Sequence, residues 1–184
     1  MGLAIAVLMG FPACSGGDDE PASKPGTSAT PAPSPITTDA ALGKVRGTLP
    51  KARADRVVAD VTSVVESWSA GAFEGDYPRA DFSAAFTDFT QGARALAVKP
   101  TSLLSNVAVG SRLSGSRVAS RLVRVDVLAP QGKVAGATAR IKLVVRLTAG
   151  STETTQVLAG RLALTPTTAG WRVFAFDVRR GEGA

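Results

Sequence analysis

Two apolar stripes at helical spacing, followed by four stretches of alternating apolar and polar residues, predict an α+β domain. In it, two N-terminal amphipathic helices pack against a curved antiparallel sheet of four or more strands. A third observation sets where that domain begins. Residues 15–43 carry five prolines among Ser, Thr, Ala and Gly. Such a segment has too few large apolar side chains to offset the entropy of ordering, so a disordered linker is expected. The domain itself is expected over residues 44–184.

The first helix is predicted over residues 50–70. Ala54, Val57, Val58, Val61, Val65 and Trp68 fall three and four apart, while Asp55, Asp60 and Glu66 lie largely off that stripe. Thr48 suits a cap, Pro50 the first turn, and Gly71 the end. Its many valines lower intrinsic helicity, so packing must hold it. "GDYP" at 75–78 reads as a turn. A second stripe then runs through Phe82, Ala85, Phe86, Phe89, Ala93 and Leu96, and stops before Lys99-Pro100. Between 101 and 115 the pattern is mixed: Val107 and Val109 suggest a short strand, and "GSRLSGS" a loop.

From Arg117 the period becomes two. Val123, Val125 and Val127 alternate with Arg124 and Asp126; Ala139, Ile141, Leu143, Val145 and Leu147 alternate with Arg140, Lys142 and Arg146. "TAGST" and "TPTTAG" separate two further strands, at 156–165 and 171–180. Short glycine-containing turns between consecutive strands predict an antiparallel meander. This order, together with the closing "GWRVFAFDV" at 170–178, resembles the cone-shaped fold of the nuclear transport factor 2-like superfamily. The resemblance covers about residues 44–180, rests on element order and the last strand, and includes no fingerprint motif. It implies a sheet wrapped over the helices and a cone that takes a ligand. Membrane-tethered domains of this kind include accessory proteins of mammalian-cell-entry lipid transport systems, which carry a full membrane helix where this chain has a cysteine.

That cysteine is Cys14. Residues 2–13 are apolar but far shorter than the roughly 20 needed to cross a bilayer, and read as the core of a signal peptide over 1–13. The basic leader of such a signal is missing, which places the expected true start upstream of Met1. Ala13-Cys14 followed by Ser15-Gly16-Gly17 resembles a bacterial lipoprotein signal, although Phe11 and Pro12 depart from its usual residues. The resemblance implies that the Cys14 thiol receives diacylglycerol and that the mature chain sits on the extracytoplasmic face of the cell membrane. Two acyl chains of some thirty methylenes, at about 0.8 kcal/mol each, make an almost permanent anchor. The linker from residue 14 to 43 then spans roughly 30 Å as a coil and about 90 Å extended.

Charge is uneven along the domain. Residues 44–89 hold six basic and seven acidic side chains, and residues 90–184 fourteen and four, a net of +10. Arg124, Arg140, Lys142 and Arg146 share the non-core parity of adjacent strands, and Arg161 and Arg172 are expected to join them. They are the candidate site for an anion or a partner: an envelope protein or anionic lipid. Aromatic residues do not interleave with these cations, so nucleic acid is not expected.

Candidate chemistry is sparse. Histidine is absent, which removes the commonest metal ligand and neutral-pH base. No Cys/His metal spacing, phosphate-binding glycine loop or nucleophile elbow occurs, so neither a metal nor a cofactor is expected. The expected function is therefore that of a non-catalytic lipid-anchored envelope protein, binding a partner protein or an apolar or anionic ligand in the cone. The alternative is an exported enzyme of the isomerase or dehydratase type that uses an acidic residue there. Its candidate bases are Asp126 and Asp177, each expected to pair with the arginine two residues away, Arg124 or Arg179.

Overall fold

The alternation over the second half of the chain becomes one sheet. In a computed structural model, which describes residues 36–99 and 101–183, the strands are β1 (Thr38–Gly47), β2 (Gly115–Ala129), β3 (Gly136–Ala149), β4 (Thr152–Thr167) and β5 (Gly170–Glu182). The expected signal peptide, Cys14 and the part of the expected linker before residue 36 lie outside the described residues. Sheet order follows the chain, β1-β2-β3-β4-β5. From β2 to β5 every neighbour is antiparallel. Two of the turns are two residues long, Gly150-Ser151 and Thr168-Ala169; Gly150 (φ 59°) supplies a positive φ inside the first, and Gly170 (φ 100°), the first residue of β5, supplies it directly after the second.

β1 departs from the expectation. It lies parallel to β2, with Thr38 opposite Arg121 and Gly47 opposite Ala129, and it begins six residues ahead of the domain start at Lys44. Its ten residues include only a few large apolar side chains, so nothing in their pattern distinguishes them from linker. Pairing with β2, far away in sequence, makes them a strand.

Against one face of the sheet lies α1 (Lys51–Phe73). Ala54, Val57, Val61, Val65 and Trp68 are buried as their spacing predicts, and Val58 is half-buried. Thr48 does not cap it; Pro50 occupies that position with no side-chain bond, its carbonyl accepting from the N–H groups of Arg53 and Ala54 at 2.9 and 3.0 Å. Nor does Gly71 end the helix. A Cβ there would lie 2.9 Å from Cα of Ala85, so this glycine lets the next segment approach.

The second stripe buries as predicted but is not one helix. It folds as a 3-10 turn (Ser83–Phe86), a bend, and α2 (Gln91–Ala97) capped by Thr90. The break has a cause in β5: Val173 N–H donates to Asp88 O at 2.8 Å, and Thr90 N–H to Val173 O at 2.9 Å. Those bonds replace the helical ones. Phe82, Ala85, Phe86, Phe89 and Ala93 are buried, whereas Leu96 is exposed. Residues 101–114 form turns and a 3-10 segment (Gly110–Arg112) rather than the short strand suggested by Val107 and Val109.

Inward side chains of β2, β3 and β4 meet the helix in a single core. Val123, Val125, Leu143, Val145, Leu158 and Leu162 are fully buried against Trp68, Phe73 and Phe86. Each large apolar side chain taken out of water contributes roughly 1.5–3 kcal/mol. Trp68 meets Phe73 edge to face at 5.8 Å, and its Nε1 donates to Leu104 O at 3.0 Å. That bond satisfies the only polar atom the indole brings inside.

Candidate functional site on the outer face of the sheet

The opposite face carries the cations. Register places Arg124 of β2 directly opposite Arg140 of β3, and Arg140 opposite Arg161 of β4, whose partner on β5 is Asp177. Three guanidinium groups side by side would repel one another. Each instead has a carboxylate from its own chain. Arg124 binds Asp39 through two bonds of 3.1 Å, Arg140 binds Asp126 at 2.9 Å, and Arg161 binds Asp177 at 2.9 Å. Arg146 pairs with Glu153 at 3.2 Å, and Arg117 approaches the same carboxylate at 3.9 Å. Of the four cations expected to form the site, only Lys142 has no carboxylate partner among the described residues.

Two pairings differ from expectation. Asp126 takes Arg140 rather than Arg124, and Asp177 takes Arg161 rather than Arg179. Asp177 lies directly opposite Arg161, about 4.8 Å away against about 6.6 Å for a residue two along its own strand, whereas Asp126 reaches Arg140 on the cross-strand diagonal, within range of a long side chain. Arg172 does not join the face. It turns toward the segment before α2, donating to Thr87 O and to Asp88, both at 2.7 Å.

Between these ion pairs the surface opens into a trough of about 620 Å³. Its floor is made of Gly136, Thr138 and Ala163, residues too small to fill it. Leu128, 48% exposed, and Phe174, 52% exposed, stand in its walls beside Arg46, Arg140 and Arg161. Phe174 is the extra residue of a bulge, since Ala163 pairs with Ala175 but Leu164 with Val173. Bulges re-aim a side chain, and here a phenylalanine reaches the solvent face. Sequence reasoning missed both walls, yet each leaves a trace: "VLA" at 127–129 and "VFAF" at 173–176 interrupt the alternation.

Asp39 and Arg124 shift each other's protonation. Two hydrogen bonds from the Arg124 guanidinium, aided by its charge, hold the Asp39 carboxyl below its ordinary value, and Asp39 raises Arg124. Both remain charged near neutrality.

A buried cation lies on the helix-covered side. Arg121 follows the parity of Val123 and is 7% exposed. Its Nε donates to Ser69 Oγ at 2.8 Å and its Nη1 to Thr38 Oγ1 at 3.0 Å, while Thr38 donates to Glu66. Glu74 is 3.9 Å away. These contacts fasten the start of β1 to α1.

The interior that a nuclear transport factor 2-like cone would offer to a ligand is occupied by Trp68, Phe73, Phe86 and the leucines packed on them. Among the described residues the buried polar side chains are Thr62, Ser69, Ser105, Asn106 and Arg121. Asp126 and Asp177, the candidate bases, lie on the outer face in ion pairs. Tyr77 accepts from Asn106 Nδ2 at 3.0 Å.

The described residues thus define an α+β domain with a five-stranded, mostly antiparallel sheet, helices on one face and a charge-laced trough on the other. No protein-family model matches the sequence, and neither a curated protein nor a solved structure matches it.

Proposed function

We propose that this protein is a lipid-anchored, non-catalytic binding module of a bacterial cell envelope. In this reading a nuclear transport factor 2-like domain hangs from Cys14 on the extracytoplasmic face and recognises a partner protein with the outer face of its sheet. One observation carries the recognition surface: Leu128 and Phe174 stand exposed in a single basic trough, while the apolar side chains under the helix are packed together. Exposed apolar residues that share one concavity, rimmed by charge, mark interaction sites far better than scattered ones. Ala13-Cys14 after an apolar run supports the anchor, and the layering of helices on one face of a meander supports the superfamily.

The described chain enters β1 at Thr38, and Arg46, opposite Leu128, lies eight residues further along it. That is roughly 26 Å at 3.3 Å per residue, so the trough lies at the end of β1 away from Thr38.

The test has two readouts in a bacterial host. Mass spectrometry of the mature chain should find Cys14 diacylated, and Cys14→Ala should leave the membrane fraction. A photoreactive phenylalanine analogue at Phe174 should give a discrete adduct that the same analogue at Leu96, exposed on α2, does not. A free Cys14 thiol overturns the anchor; equal adducts at both positions, or none, overturn the outer-face reading.

A further inference from the structure

Arg161 is a wall of two depressions. Besides the trough it lines a shallower one of about 320 Å³, floored by Ala159 and Gly160 and bounded by Asp177 and Arg179. The two follow one another along β4 with Arg161 between them, as a furrow that runs with the strands. Gly136 lies at its near end and Lys142, opposite Ala159, at its far end. Six residue steps along β3 give a length of roughly 20 Å, the span of about six extended residues.

Charge along the furrow is not uniform. Arg140 and Arg161 in its middle already hold Asp126 and Asp177. Among the described residues no carboxylate lies within ion-pair distance of Arg46 at the near end, nor of Lys142 and Arg179, which flank Ala159 at the far end. The apolar walls, Leu128 and Phe174, both belong to the near end.

We propose that this furrow docks an extended acidic segment of a partner polypeptide. One apolar side chain sits between Leu128 and Phe174, and carboxylates pair with Arg46 at one end and with Lys142 and Arg179 at the other. The proposal rests on the outer face being the recognition surface. A densely charged phosphate polymer fits worse, because it would press anions against Asp126, Asp177 and the two apolar walls. A bilayer fits worse too, since a flat surface would leave the bare floor of Gly136, Ala163 and Ala159 unfilled. A peptide carrying carboxylates apart, with an apolar residue between them, meets each feature. The +10 net charge of residues 90–184 supplies long-range attraction for it.

The experiment uses the full chain and fluorescence anisotropy. The probes are a labelled ten-residue peptide with Glu at positions 2 and 8 and Leu at position 4 in a Ser background, so that all three share one face when extended, the same peptide with Gln for Glu, polyphosphate, and phosphatidylglycerol vesicles. The acidic peptide should bind, weaken with added salt, and outcompete the Gln form. The combined variant Arg46→Ser, Lys142→Ser, Arg179→Ser should lose about tenfold in affinity, and Phe174→Ser a similar factor. None of the three cations holds a carboxylate, so their removal leaves no orphaned charge in the sheet. Arg56→Ser on the exposed side of α1 should change nothing. Equal loss in Arg56→Ser, no loss in the combined variant, or binding of polyphosphate or vesicles without the peptide overturns the proposal. A discrete adduct at Phe174 without acidic-peptide binding overturns this occupant alone and leaves the outer-face reading standing.

Discussion

Asp126 is held from two sides, by Nη2 of Arg140 at 2.9 Å and by the backbone N–H of Lys44 at 2.7 Å. The second bond ties the parallel edge strand β1 to the sheet where its register shifts, between Leu42 and Val45. Gly43 makes room for it, since a Cβ there would lie 2.2 Å from Asp126 Oδ1. Gly43→Ala must displace a carboxylate already fixed by two donors, and we expect a loss of about 1–3 kcal/mol in urea unfolding. Asp126→Asn should cost less, about 1 kcal/mol, because Asn retains an acceptor for Lys44 while the exposed ion pair contributes little. An unfolding midpoint unchanged in Gly43→Ala would remove the clasp from the account of β1.

Gly160 is a second position where backbone comes too close for a side chain. A Cβ there would stand 2.1 Å from Asp177 O and 2.7 Å from Val178 Cα. Main chain of β5 cannot swing aside as a rotamer can. Gly160→Ala is therefore expected to cost about 2–4 kcal/mol, lowering the thermal midpoint by roughly 5–15 °C. Differential scanning calorimetry measures it, and a shift below a degree would mean that the two strands part readily. The same substitution at Gly92, where a Cβ meets nothing within 4 Å, should be neutral or stabilising, as removing a helical glycine usually is.

These two glycines mark what the sequence does and does not reveal. Period-two alternation is local, so β2, β3 and the inward parity of Val123, Ile141 and Leu143 could be read directly. The stripe from Ala54 to Trp68 was equally legible. Non-local bonds were not. Phe82 to Ala93 have helical spacing and are buried, but Val173 takes up the backbone groups of Asp88 and Thr90 that a continuous helix would use. β1 is polar and parallel, and only β2 makes it a strand. For the site, the cationic parity of Arg124, Arg140 and Lys142 was visible, whereas their anions were not. Asp39 lies in a stretch that reads as linker, and the choice of Arg140 over Arg124 by Asp126 depends on a cross-strand diagonal.

The Asp39–Arg124 pair gives a pH signature with a definite sign. Hydrogen bonds from Arg124, with its charge, lower the folded-state pKa of Asp39. A depressed folded pKa favours the ionised carboxyl in the native state. Its contribution is therefore present above the unfolded value, about 3.9, and is lost as pH falls through the lower folded one. Carbon-detected carboxyl titration should place Asp39 below the usual aspartate range, and Arg124→Gln should move it back up. Asp39→Asn should alter the pH dependence of stability only below about pH 4. Titration of Asp39 at or above the usual value would show that the two bonds do not persist in solution.

Arg180 offers the sharpest test of how the region between α2 and β2 is held. Its Nη2 donates to Leu103 O at 3.0 Å and Ser105 O at 2.9 Å, its Nη1 reaches Gln156 Oε1 at 3.2 Å, and the guanidinium lies 5.6 Å from the centre of the Phe73 ring. Burial lowers its pKa, yet a guanidinium stays charged near neutrality. A planar fork can meet two carbonyls and an amide at once while lying near an aromatic face. A lysine ammonium has neither the shape nor the span. Arg180→Lys should therefore cost about 1–3 kcal/mol and loosen the loop it grips. Hydrogen exchange separates local from global effects. The amide of Asn106, bonded to Ala72 O at 3.3 Å, should exchange faster, while that of Leu143 in the sheet centre should change only by the global loss. Trp68 still donates to Leu104 O from the core side in this variant, so the loop should loosen without detaching. Equal acceleration at Asn106 and Leu143 would mean that Arg180 stabilises the fold as a whole and does not clamp this segment.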